Sequence, residues 1–70
     1  MRNAYTAQLE GLNDDLCALA QAAESAMRDA SVALLDGDLR AAESVIARGE
    51  ALGELGARCE EQAVTVLALQ

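Results

Sequence analysis

The groups in this chain that could carry chemistry are Ser25, Ser31 and Ser44, the paired carboxylates Glu50 and Glu54, the thiols Cys17 and Cys59, and the glycines Gly49, Gly53 and Gly56. A serine nucleophile needs a base beside it, and the chain has no histidine and no lysine, which removes both common activators. The glycines fall within a helical pattern and follow no strand, so they form no phosphate-cradling loop. The chain is therefore expected not to be an enzyme. Glu50 and Glu54 lie four residues apart on one helix face, the spacing that bundles use to hold a hard cation. Glu60 and Glu61 follow, but sequence neighbours point in different directions. One pair lacks the convergent ligands such an ion needs, and a solvated helix face accounts for it more simply. No metal and no other cofactor is expected.

The remaining groups read structurally. Cys17 and Cys59 match no C-x-x-C spacing. Two reduced thiols are the expectation, because Cys17 lies off the apolar seam. A Cys17–Cys59 bridge is the alternative, since a hairpin bent at Gly37 brings the two to similar heights. Gly49, Gly53 and Gly56 line one helix face, at a cost of about 3 kcal/mol from summed propensities. The G-x-x-x-G spacing does not mark a membrane helix pair here, because Arg48, Glu50 and Glu54 surround it. Either another backbone packs closely against these glycines, or earlier side chains have been lost from them.

The elements that position these groups are set by Ala33-Leu34-Leu35-Asp36-Gly37-Asp38-Leu39. Gly37 can adopt the left-handed conformation that closes a helix, and Asp38 can cap the next one. Stop and start signals on adjacent residues predict an antiparallel two-helix hairpin. The first helix is expected from about Ala4 to Leu35, the turn over Asp36, Gly37 and Asp38, and the second helix from Leu39 to about Leu69. Tyr5, Leu9, Leu12, Leu16, Leu19, Ala23, Ala26, Ala30 and Ala33 alternate steps of four and three, the seam of two helices packed at a shallow angle. Its large residues come early and its alanines late, so the closest helix approach is expected near the turn. Val45, Leu52, Leu55, Cys59, Val66 and Leu69 form the stripe of the second helix, broadened by Ile46, Ala63 and Leu67.

The fold class is thus all-α, a single unit spanning residues 1–70. Seventy residues give a small core, about 3–5 kcal/mol at most, and two helices bury only one stripe each. Self-association into a helical bundle is the expected remedy. Met27, Leu34, Leu35 and Val66 are the expected interface residues outside the seam. The run from Val64 to Gln70 is strongly apolar and ends without a polar tail, so either a partner covers it or more chain is expected beyond it. A net charge of −7, from twelve acidic residues against five arginines, repels phosphate backbones and anionic lipid. Nucleic acid and membrane are therefore poor partners, and a basic protein surface is compatible. Arg2 is followed by polar residues, and Glu10, Asp14 and Asp15 interrupt any apolar run. No secretory leader or spanning helix is expected, and the chain reads as cytoplasmic.

Met1-Arg2, Tyr5, Leu9, Leu12, Asp15-Leu16, the Ala33–Leu39 stretch, Ala42-Glu43, Val45-Ile46-Ala47-Arg48 and Leu67-Ala68-Leu69-Gln70 occur together in one order and spacing. In that joint pattern the chain resembles the start of a PhoU-family protein, and its alanine and arginine bias without lysine looks like high-GC actinobacterial members. The resemblance implies the first two helices of the first of two three-helix repeats. It implies a cytoplasmic negative regulator of the phosphate-starvation response, partnered by a phosphate ABC transporter ATPase and a sensor histidine kinase. Family members can bind metal ions through an acidic pair four residues apart. The matching positions here are Gly49 and Gly53, while Glu50 and Glu54 are one residue out of phase, so the resemblance carries no metal role onto this chain. The alternative reading is a structural, self-associating helical hairpin with no phosphate role.

Overall fold

The computed structural model describes residues 3–70, so the Met1-Arg2 pair lies outside the described residues. Asn3 starts the first helix: its side-chain Oδ1 accepts the Thr6 backbone N–H at 2.8 Å, which satisfies one of the donors a helix leaves free at its first turn. Helix α1 runs Ala4–Asp36 and helix α2 runs Leu39–Leu69. The described residues contain no strand. The fold is an all-α antiparallel hairpin.

Gly37 ends α1 with φ 63° and ψ 32°, a left-handed conformation that strains any residue carrying a Cβ. Its N–H reaches the Leu34 carbonyl at 3.4 Å, and the Asp38 N–H reaches the Ala33 carbonyl at 3.0 Å. These are the two bonds of a Schellman closure. Asp38 then changes role. Its side chain accepts the Ala41 N–H at 3.1 Å, and its carbonyl accepts the Ala42 N–H at 3.0 Å, which opens α2. One residue therefore closes one helix and starts the other. Asp36 belongs to α1 as its last residue, one position past the expected stop at Leu35, because the closure bonds keep it helical.

Between the helices the buried residues are Leu12, Ala26 and Ala33 of α1 with Cys59 and Val66 of α2. Leu12, Cys59 and Val66 form a cluster at the open end, against which Tyr5, Leu19 and Ala63 pack. Towards the turn the α1 seam is alanine. Burial follows sevens: Tyr5, Leu12, Leu19, Ala26 and Ala33 on α1, and Val45, Leu52, Cys59 and Val66 on α2 are all buried or half-buried. Of the alternate seam positions, Ala23 and Ala30 near the turn are half-buried, but the two at the open end behave differently. Leu9 is 43% exposed and Leu16 46%, where the four-three repeat puts both inside. One partner helix shields the row facing it, and a row rotated by about 60° emerges on the flank. Leu69, Ile46 and Leu67 are exposed for the same reason.

Val66 requires a correction. It was expected on an outer interface, and it is 5% exposed, inside the cluster with Leu12 and Cys59. It stands seven residues after Cys59, so it returns to the same side of α2 and cannot reach an outside partner. The cysteines are both free, Cys17 exposed and Cys59 buried. The Cys17–Cys59 bridge is not made: Cys59 belongs to the seam and Cys17 does not.

Two outcomes test this arrangement. Gly37→Ala forces a Cβ into the left-handed region, at about 1 kcal/mol, and is expected to lower the melting temperature by about 4–8 °C for a domain this small; an unchanged melt followed by circular dichroism would reject the closure. Mass spectrometry after brief iodoacetamide treatment is expected to find Cys17 alkylated and Cys59 protected until denaturant is added.

Candidate interaction surface

Charged side chains of the two helices meet along one flank of the hairpin. The Arg48 guanidinium donates to Asp29 across the helix pair at 2.7 Å. Arg48 was not anticipated from the apolar pattern, since it follows Val45 by three and so falls at a seam position. Its stem covers the seam while its head reaches solvent. Its Nε is enclosed without a hydrogen-bond partner. Both partners of the ion pair are substantially exposed, so the pair contributes about 0–1 kcal/mol. It also favours one register, because it joins residues on separate helices. A shallow groove beside it is lined by Val32, Asp36, Asp38 and Ser44. Further from the turn, Arg58 borders two more grooves, one with Ala51 and Leu52, the other with Asp15 and Glu61. These depressions are open; the first and last place acids beside arginines, and the one with Ala51 and Leu52 is lined by arginines and mostly apolar residues.

The carboxylate pair Glu50 and Glu54 lies exposed on α2. Among the described residues no group of three or more potential ligands comes together to hold a metal ion. Gly49, Gly53 and Gly56 face open space: a Cβ built on any of them meets nothing within 4 Å. Close approach of α1 therefore does not explain the glycines, and the room beside them lies outside the hairpin.

Apolar exposure is the dominant feature of the remaining surface. Met27 is 72% exposed, Leu34 81% and Leu35 87%. Leu39, the first residue of α2, is also exposed. Asp36 and Asp38 flank this cap of leucines, so the tip of the hairpin presents an apolar surface bordered by acids. Among the described residues no helix is long and apolar enough to cross a membrane. Contiguous exposed apolar patches are common sites of contact with other macromolecules.

No protein-family model matches the chain, and no solved structure matches it. Curated relatives do. The chain is 46% identical over all 70 of its residues to the phosphate-specific transport system accessory protein PhoU homolog 2 of Mycobacterium bovis, and equally to that of Mycobacterium tuberculosis. It is 44% identical, again over its whole length, to PhoU homolog 1 of Mycobacterium leprae. The match takes up 33% of the homolog 2 proteins and 32% of homolog 1, so the chain spans about a third of their length. With all 70 residues aligned and nearly half identical, the hairpin is similar to about a third of a PhoU homologue.

Proposed function

We propose that the chain acts as a regulator of phosphate uptake and of the phosphate-starvation response, working by protein contact and without covalent chemistry. The observation that supports this reading is the 46% identity, over the entire chain, to accessory proteins of phosphate-specific transport. On this reading residues 1–70 are a partial PhoU-like unit, acting in the cytoplasm. Its partners are the ATPase of a phosphate ABC transporter and a sensor histidine kinase, and binding holds the starvation response down. On this reading no cofactor takes part, since glycines occupy positions 49 and 53, where the resemblance implies an acidic pair.

The hairpin tip suits that task. Leu35 projects from α1 beside the turn, with Leu34 and Met27 exposed on the same helix. Burying one such leucine against a partner is worth about 1.5–3 kcal/mol. Asp36 and Asp38 at the rim, and the chain's net charge of −7, favour a partner surface that is basic around an apolar centre.

Capture from cell extract with the tagged 70-residue chain, its helicity first verified, tests the reading. The transporter ATPase or the kinase is expected in the eluate, and Leu35→Glu is expected to reduce its recovery at least tenfold while helicity is unchanged. Recovery of neither protein by a folded chain rejects the regulatory role.

A further inference from the structure

The charged flank of the hairpin changes character along its length. Towards the turn its groove is lined by Asp29, Asp36 and Asp38. Towards the open end it is lined by Asp15 and Glu61. Between these acids lies a stretch walled by Ser25 of α1 and by Arg48 and Arg58 of α2, with Leu52 and Leu55 on its floor. No carboxylate among the described residues lines that stretch, although the chain carries a net charge of −7. The opposite flank shows Leu16, Ile46 and Leu67, all exposed, and is apolar.

The two arginines differ in what they have left to offer. Arg48 is paired with Asp29 at 2.7 Å. Arg58 is exposed and joins no ion pair among the described residues. Ala51, Leu55 and Arg58 follow one another on α2 at steps of four and three, so the free guanidinium stands at the end of an apolar strip. Arg48 closes the strip ten residues earlier, about 15 Å along the helix. The space between them is about 430 Å³, within the roughly 300–1,000 Å³ of small-molecule sites. We propose that this stretch binds a small carboxylate with an apolar body, of the medium-chain fatty acid class. The carboxylate accepts two parallel N–H bonds from Arg58, Ser25 offers a hydroxyl on the facing wall, and the alkyl chain lies over Leu55 and Leu52 towards Arg48. An exposed guanidinium alone holds a carboxylate weakly in water, so the apolar floor supplies much of the affinity. The flanking acids select a short ligand over an acidic polypeptide. A chain continuing past either arginine meets Asp29, Asp36 and Asp38, or Asp15 and Glu61, and is repelled. The site uses none of the leucines at the tip and does not rest on the phosphate-signalling reading.

Titration of the isotope-labelled chain with octanoate, followed through its amide chemical shifts, tests the site. Saturable shifts are expected at Ser25, Ala51 and Leu55, with Leu34 and Leu35 at the tip unmoved. Butanoate is expected to bind roughly tenfold more weakly, because a shorter chain covers less of the floor. Octylammonium, which keeps the chain and reverses the charge, is expected to leave these amides in place. Arg58→Gln is expected to weaken octanoate by about tenfold. Arg28→Gln, whose arginine pairs with Glu24 and lines none of these grooves, is expected to leave binding unchanged. If Arg58→Gln unfolds, Ala51→Glu sets a carboxylate in the same stretch and is expected to give the same loss. The absence of any saturable shift overturns the proposal, as does octylammonium binding as tightly as octanoate. Octanoate binding that ignores both Arg58→Gln and Ala51→Glu also overturns it. An acidic peptide that displaces octanoate from these residues at lower concentration assigns the groove to a polypeptide and overturns it as well.

Discussion

Two helices can shield one another only along the line where they touch, and most features of this hairpin follow from that limit. Each helix is over thirty residues long, yet the contact line buries five apolar side chains among the described residues. The Cα radius of gyration is 16.0 Å, against about 11 Å for a compact chain of this length. Leu12, Cys59 and Val66 hold the open end. Towards the turn the seam is alanine, which brings the backbones together but removes little area from water.

The turn compensates in part, since it joins the helices with almost no loop to order. Asp38 donates its N–H to the closure of α1 and offers its carboxylate to the start of α2, so neither helix end at the turn is left wholly uncapped. This short connection leaves little slack, and the first apolar rows on either side, Ala33 and Val45, come to lie on facing sides. The Asp29–Arg48 pair adds a second constraint on register. It is too exposed to stabilise the fold by much, but a shifted register would separate its partners.

What remains outside the seam is open groove, carboxylate ridge and exposed apolar surface. The grooves are open, and Glu50 and Glu54 share the outer ridge of α2 with Glu43 and Glu61, where no three potential ligands among the described residues come together to hold a metal ion. Gly49 and Gly53 look outward into free space. The surface is divided by chemistry into a leucine tip with an acidic rim, a charged flank and an apolar flank. A hairpin with a small core and this much exposed apolar surface would gain stability from anything that binds the folded form alone.

The residues alone were enough for the hairpin. A glycine followed by an aspartate between two helical repeats permits few conformations, and local bonding sets them, so Asp36, Gly37 and Asp38 could be read in advance to within one residue. The PhoU likeness was equally legible, because order and spacing of residues survive without coordinates. Side-chain fate across the helix pair was not legible in the same way. Leu9, Leu16 and Val66 all fit an apolar repeat, but which of them is shielded depends on where the single partner helix lies, and a repeat counts positions without fixing that direction. Arg48 was hidden for a related reason, since its charge masked a seam position that its aliphatic stem can fill. Sequence determined the helices, their ends and their kinship through local bonding and pattern. Only packing decided which stripe faces inward, because a two-helix contact covers one narrow arc of each rod and leaves the rest to water or to a partner.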